Sequence, residues 1–190
     1  VRQKDMKIVI INGPNLNLLG KREPTIYGTQ SMEQILVDIQ RAHMDVHFTY
    51  LQSNHEGDLI DWIQEHGCAS LELKNKAIGI ILNAGGYTHT SVALRDAVAC
   101  ANVPVVEVHI SDISQREEFR RVSLLTDVCN HSIIGHGTKG YQEAVEWLLG
   151  RVESCELRMF LLCKDTKKCT MHNAQCTIFC FEILKFNFFC

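Results

Sequence analysis

The sequence predicts an α/β protein built as an open, five-stranded parallel sheet with helices on both faces. Five short apolar runs recur along the first 150 residues, and most are apolar at consecutive positions, as strands covered on both sides must be. Each run is followed by a polar turn and an amphipathic stretch, the pattern of successive βαβ units. At 46% hydrophobic and 22% charged, the 190-residue chain also has the composition of one ordinary globular domain with a substantial core.

The runs place strands at residues 7–11, 46–51, 78–82, 103–110 and 132–134. Between and after them, helices are expected at about 29–43, 56–66, 89–101 and 138–149, with a short one at 115–121. Thr29 or Ser31 precedes the first helix, Asn54 and Glu56 stand before the second, and Thr88 or Thr90 can cap the third. Strict alternation of strand and helix implies a flavodoxin-like strand order, and in such sheets ligands bind outside the carboxyl ends of the strands.

A formal net charge of -3 offers no basic field for nucleic acid and no polybasic stretch for a membrane surface, so a small-molecule partner is expected. The first apolar run, residues 7–11, is too short for a signal core or a membrane span, and a cytoplasmic location is expected. The composition changes near residue 150. Residues 151–190 hold six of the nine Cys and six of the eight Phe, with no Gly or Pro. The expected division is therefore a folded unit at 6–150 and an atypical tail at 151–190.

Three strand exits carry polar groups. The first opens a loop, Gly13-Pro-Asn-Leu-Asn-Leu-Leu-Gly-Lys-Arg-Glu-Pro-Thr-Ile-Tyr-Gly28, about sixteen residues long and unusual for a βα connection. It contains a phenol, Tyr27, with the cations Lys21 and Arg22, the combination that stabilises a phenolate; a merely solvated loop is the other reading. The fourth run puts Glu107 and His109 on one face of a strand, because side chains repeat every second residue. A carboxylate there would orient the imidazole, while a core histidine satisfied by its neighbour has the same spacing.

The third exit, Asn83-Ala-Gly-Gly-Tyr-Thr-His89, leads into a helix whose first N–H groups can hold an anion, with Asn83 and His89 beside it. Asp96, two turns further, reads in a monomer as a surface charge next to Arg95. Arg116 and Arg120 would share one helical face and suit an anionic or polyhydroxylated ligand, unless Glu117 and Glu118 simply screen them.

Two other patterns carry less. Gly135-His-Gly-Thr-Lys-Gly140 matches a dinucleotide fingerprint, but it follows the last strand instead of the first and has no acidic partner on a following strand. No metal is expected, since His43 and His47 lack a third ligand and the tail cysteines form no C-x-x-C pair.

Taken together, Asn12 to Gly20 with Arg22, Tyr27 and Gly28, Gln52-Ser-Asn-His-Glu-Gly57, Asn83 with Thr88 to Asp96, Glu107-Val-His-Ile-Ser111, and Arg116-Glu-Glu-Phe-Arg120 resemble the type II 3-dehydroquinate dehydratases over residues 6–149. The resemblance implies a cofactor-free lyase that removes water from 3-dehydroquinate to give 3-dehydroshikimate by anti elimination through an enolate. It makes Tyr27 the base, activated by Arg22, and His109 the acid, oriented by Glu107. It places Asn15 at a water on the enolate oxygen, and puts Asn83, Ser111 and the Ile110 N–H on the substrate carboxylate. His89 and Arg120 would take the ring hydroxyls. It sends Asp96 to the active site of a neighbouring subunit, within trimers that assemble into a dodecamer.

A phenol with an ordinary pKa of about 10 needs a drop of roughly two to three units to act at neutral pH, on the order of 3–4 kcal/mol, which a close guanidinium in a water-poor site can supply. The competing reading is a non-catalytic flavodoxin-like scaffold or binding module. Residues 151–190 match nothing in the family and are expected to be disordered or artefactual.

Overall fold

A computed structural model of the chain describes residues 6–21, 30–68 and 77–165. Arg22, Tyr27 and the Thr29 cap lie outside the described residues. Contacts divide the chain into two compact units, Val1–Leu148 and Leu149–Cys190.

The first unit contains the predicted sheet. Its strands are β1 (Met6–Asn12), β2 (Val46–Gln52), β3 (Gly79–Asn83), β4 (Val105–His109) and β5 (His131–Ile134). All are parallel, in the order β2-β1-β3-β4-β5. The reversal of strand order at β1 and β3 creates the crevice where such sheets bind ligands. Ile8, Val9, Ile10 and Ile11 are each 0% exposed, so β1 is covered on both faces, and its unbroken apolar run has that physical cause.

The helices are α1 (Met32–Ala42), α2 (Glu56–Ile63), α3 (Val92–Ala99) and α4 (Lys139–Asp165). Leu59 and Ile63 of α2 and Leu94, Ala97 and Val98 of α3 pack in one cluster with Val9, Ile11, Ile80, Leu82 and Val105. On the opposite face α4 approaches so closely that a Cβ on Gly79 would meet Leu148 Cδ2 at 2.3 Å. Among the described residues no helix is long and apolar enough to cross a membrane.

Several expected boundaries differ. Ser31 does cap α1, accepting from Gln34 N at 3.3 Å, and α2 gives way to a wider turn at Gln64–Cys68. Neither Asn54 nor Glu56 caps α2. Asn54 Oδ1 instead accepts from Asn15 N at 2.9 Å, tying two loops together. The expected helix at 89–101 is a 3-10 turn, Gly85–His89, followed by α3, whose cap is Ser91 and not Thr88 or Thr90. Ser91 Oγ accepts from Leu94 N at 2.8 Å, so one of the first N–H groups of the helix is already used.

The expected helix at 115–121 is absent. Two 3-10 turns, Ile113–Gln115 and Glu118–Arg120, flank an extended Arg116 and Glu117. Asp112 uses its carboxylate to hold Ser114 N, Ser114 Oγ and Gln115 Nε2, which favours a local turn over a continuing helix. Finally, α4 runs to Asp165 and not to 149, because no proline follows and Gly150 keeps helical geometry.

Candidate active site

The carboxyl ends of β1, β3 and β4 open into a cavity of about 190 Å³. Gly13 sets the spacing between the exits of β1 and β3. Its N–H donates to Asn83 O at 2.8 Å, and a Cβ there would lie 2.4 Å from Ala84 O. Only glycine lets the exits of β1 and β3 approach this closely.

Asn15 follows in a left-handed turn, φ 68°, and is the one non-glycine residue with positive φ among the described residues. Asparagine tolerates this conformation better than most side chains. It lines the cavity together with Asn83, His89, His109, Ile110, Ser111 and Arg120. Arg116 also lines it, and its Nη1 donates to Ser111 Oγ at 3.3 Å. The two arginines therefore line one cavity, although a bent loop and not a helical face brings them there, and Glu117 Oε2 stands 3.4 Å from Arg116 Nε and 3.5 Å from Arg120 Nε, as the screening alternative expected.

Asn83 is 4% exposed and its amide orientation is set by partners at both ends. Its Oδ1 accepts from Gly85 N at 3.2 Å, and its Nδ2 donates to the Tyr141 hydroxyl at 3.0 Å. Tyr141 in turn donates to Asn12 Oδ1 at 2.9 Å, and burial pushes its phenol up, so it stays protonated. The tyrosine comes from α4, far from Asn83 in sequence.

His89 Nδ1 lies 2.8 Å from Val122 O. A carbonyl can only accept, so Nδ1 carries the proton and the neutral ring keeps Nε2 as its acceptor.

Glu107 and His109 share one face of β4, as the strand period requires. His109 is 6% exposed at the cavity, and Glu107, beneath it, is 0% exposed. His109 Nε2 stands 2.8 Å from Glu107 Oε1, though the ring N–H is not aligned for a full hydrogen bond. Oε1 also accepts from Thr88 Oγ1 and Ser123 Oγ, both at 2.7 Å. Oε2 accepts from Thr126 Oγ1 at 2.7 Å and Ser132 Oγ at 3.1 Å. Four hydroxyls and an imidazole thus surround one buried carboxylate.

Burial by itself pushes the Glu107 carboxyl up, but the His109 contact and the hydroxyl donors outweigh it and bring it down to about 2 from 4.5. A carboxyl lower in the folded than in the unfolded state contributes stability that is fully present above the unfolded value and lost as pH falls toward the folded one. Between about pH 5 and 2 the protein should accordingly lose on the order of 3 kcal/mol through this group. Urea midpoints measured across that range should fall more steeply for the unaltered protein than for Glu107→Gln, and parallel curves would rule this out.

Asp96 is exposed on α3 and does not line the cavity of its own chain. The Gly135–Gly140 loop presents no free cradle at its first two glycines: Gly135 N donates to His109 O at 3.0 Å and Gly137 N to Ile110 O at 3.0 Å. Both have positive φ, and together they clamp the backbone that carries His109 and Ile110. Among the described residues, no three His, Cys, Asp or Glu side chains gather as a metal site. Sequence reasoning missed Thr88, Ser123, Thr126, Ser132 and Tyr141. Single hydroxyls in turns, on a strand and on a helix carry no local pattern that would mark them.

A family model described as class II dehydroquinase matches residues 6–149. A Campylobacter jejuni protein named 3-dehydroquinate dehydratase is 48% identical over 153 residues, covering 80% of this chain and 90% of its own. One from Exiguobacterium with the same name is 49% identical over 145 residues, covering 76% of this chain and 94% of its own. The crystal structure of a type II dehydroquinase from Butyrivibrio crossotus superposes with a TM-score of 0.68 at 45% identity, covering 75% of this chain and 97% of that one.

Proposed function

From the premise that this chain belongs to the class II dehydroquinase family, we propose that it is a lyase that dehydrates 3-dehydroquinate to 3-dehydroshikimate through an enolate. The observation that carries this reading is the His109–Glu107 pair, at 2.8 Å, facing a cavity lined by amide, hydroxyl and guanidinium groups. The proton to be removed is α to a ketone and the hydroxyl to be lost is β to it, so the reaction needs one base and one acid.

Tyr27, activated by Arg22, is the base in this proposal. His109 is the acid: Glu107 engages Nε2, which leaves Nδ1 to hand a proton to the departing hydroxyl. Asn83, Ser111 and the Ile110 N–H hold the substrate carboxylate, and the fixed orientation of the Asn83 amide supports that role. His89 Nε2, left as an acceptor, suits a ring hydroxyl, and Arg120 a second one. Asn15 holds a water on the enolate oxygen, where fixed dipoles stabilise developing charge.

Asp96 completes the site of a neighbouring subunit in this scheme, in trimers assembling into a dodecamer. Its exposed position on α3 leaves it available for that contact. The catalytic unit in this proposal is residues 6–150, in keeping with the family match over residues 6–149. A chain cut after Gly150 should keep full activity; a loss of more than about tenfold in kcat/KM, equivalent to roughly 1.4 kcal/mol, would make the following segment part of the enzyme.

Incubating the purified protein with 3-dehydroquinate and following the ultraviolet absorption of the conjugated enone tests the reading. A folded protein that produces no enone would overturn it.

A further inference from the structure

The segment from Val122 to Asp127 has no regular structure, yet it is fastened along its length. Val122 O contacts His89 Nδ1 at 2.8 Å, and Leu124 N donates to Thr88 O at 2.8 Å. Arg95 Nη1 donates to Leu124 O at 2.5 Å, and the same guanidinium forms a two-point pair with Asp127, Nη2 to Oδ2 at 2.9 Å. Leu125, 0% exposed, anchors the segment in the core. Ser123 Oγ accepts from Leu125 N at 3.0 Å and Thr126 N at 3.2 Å, which turns its only proton toward Glu107.

From this geometry we infer that the segment is a strap whose hydroxyls, Ser123 and Thr126, are positioning residues for the reaction and act on His109 through Glu107. The inference rests on the acid role proposed for His109. A carboxylate with one oxygen at an imidazole can turn about its side-chain bonds unless the other oxygen is also held. Thr126 at 2.7 Å is the shorter of the two contacts on Oε2, ahead of Ser132 at 3.1 Å. Productive acid–base geometry tolerates errors of only about 0.5 Å and 10–20°, so a freed carboxylate would cost turnover.

Thr126 is itself exposed, so replacing it opens no core cavity. Besides Glu107, the charged and titratable groups around His109 are His89, Arg116 and Arg120 at the cavity, Glu117 beside the two arginines, Cys129, whose thiol is pushed up by burial and then by the Glu107 charge, and Asp127 on the strap.

Thr126→Val keeps the shape and removes the hydroxyl, whereas Thr126→Ser keeps the hydroxyl. The Val variant should lose about tenfold or more in kcat with KM within about twofold, the range seen when a partner that orients a functional side chain is removed. The Ser variant should stay near the unaltered protein in both kcat and melting, whereas the Val variant, which takes a donor from a buried carboxylate, should melt somewhat lower while remaining folded. In nitrogen-15 histidine spectra, the His109 nitrogen facing Glu107 should move in the Val variant and not in the Ser variant. A Val variant with unchanged kcat, or a Ser variant as impaired as Val, overturns the inference. If the unaltered protein fails to dehydrate the substrate, the functional reading falls, and the nitrogen signal alone decides: no movement in the Val variant overturns the strap's role.

Discussion

His109→Asn should lower kcat for 3-dehydroquinate dehydration by about 10²–10⁴-fold while leaving the fold intact, because under the proposed mechanism the variant loses a positioned general acid and little else. The histidine backbone is held from outside its side chain, by Gly135 N donating to His109 O at 3.0 Å. Asparagine fills part of the imidazole's space and can lie against Glu107, but it has no proton to give at neutral pH. Glu107 would keep its four hydroxyl donors, so the loss of one partner does not leave a buried bare charge. Initial rates from enone absorption, alongside urea unfolding, check both halves. Adding Thr126→Val to His109→Asn should cost no further activity, since a residue that acts through His109 has nothing left to act on. A variant that keeps more than about a tenth of the rate would move the acid elsewhere.

Tyr27→Phe should reduce turnover by at least about a thousandfold with no change in stability, since in the proposed mechanism it removes the base and keeps the ring. Of the four tyrosines, the three described ones do not line the cavity. Tyr141 is buried and donates to Asn12, and burial pushes the phenols of Tyr141 and Tyr50 up, away from the phenolate a base requires. Tyr87 donates to Asn54 O at 2.8 Å and does not line the cavity. Calorimetric titration with 3-dehydroquinate should still detect binding to the Phe variant. Turnover near that of the unaltered protein would exclude Tyr27 as the base.

The sheet was legible from the chain because burial on both faces leaves a mark on consecutive residues. Ile8 to Ile11 and Ile80 to Leu82 are each 0% exposed, and all read as apolar runs. Helix caps were less legible. Thr88 has the residue type of a cap, but its hydroxyl goes to the Glu107 carboxylate on β4, and Ser91 caps α3 instead. The absent helix at 115–121 shows the same limit: turn bonds from Asp112 prevail locally, yet Arg116 and Arg120 still meet at the cavity.

By itself the sequence determined the strand order class, the strand ends that form the site, and the shared face of Glu107 and His109, because each follows from a period of two or from an uninterrupted apolar run. Only the tertiary structure decided what holds those groups in place. Thr88, Ser123, Thr126 and Ser132 reach Glu107 from three separate segments, and Tyr141 reaches Asn83 from the last helix. Periodicity reports which face of an element is buried, whereas a hydrogen bond between side chains depends on the distance between elements after packing, and no local pattern records that distance.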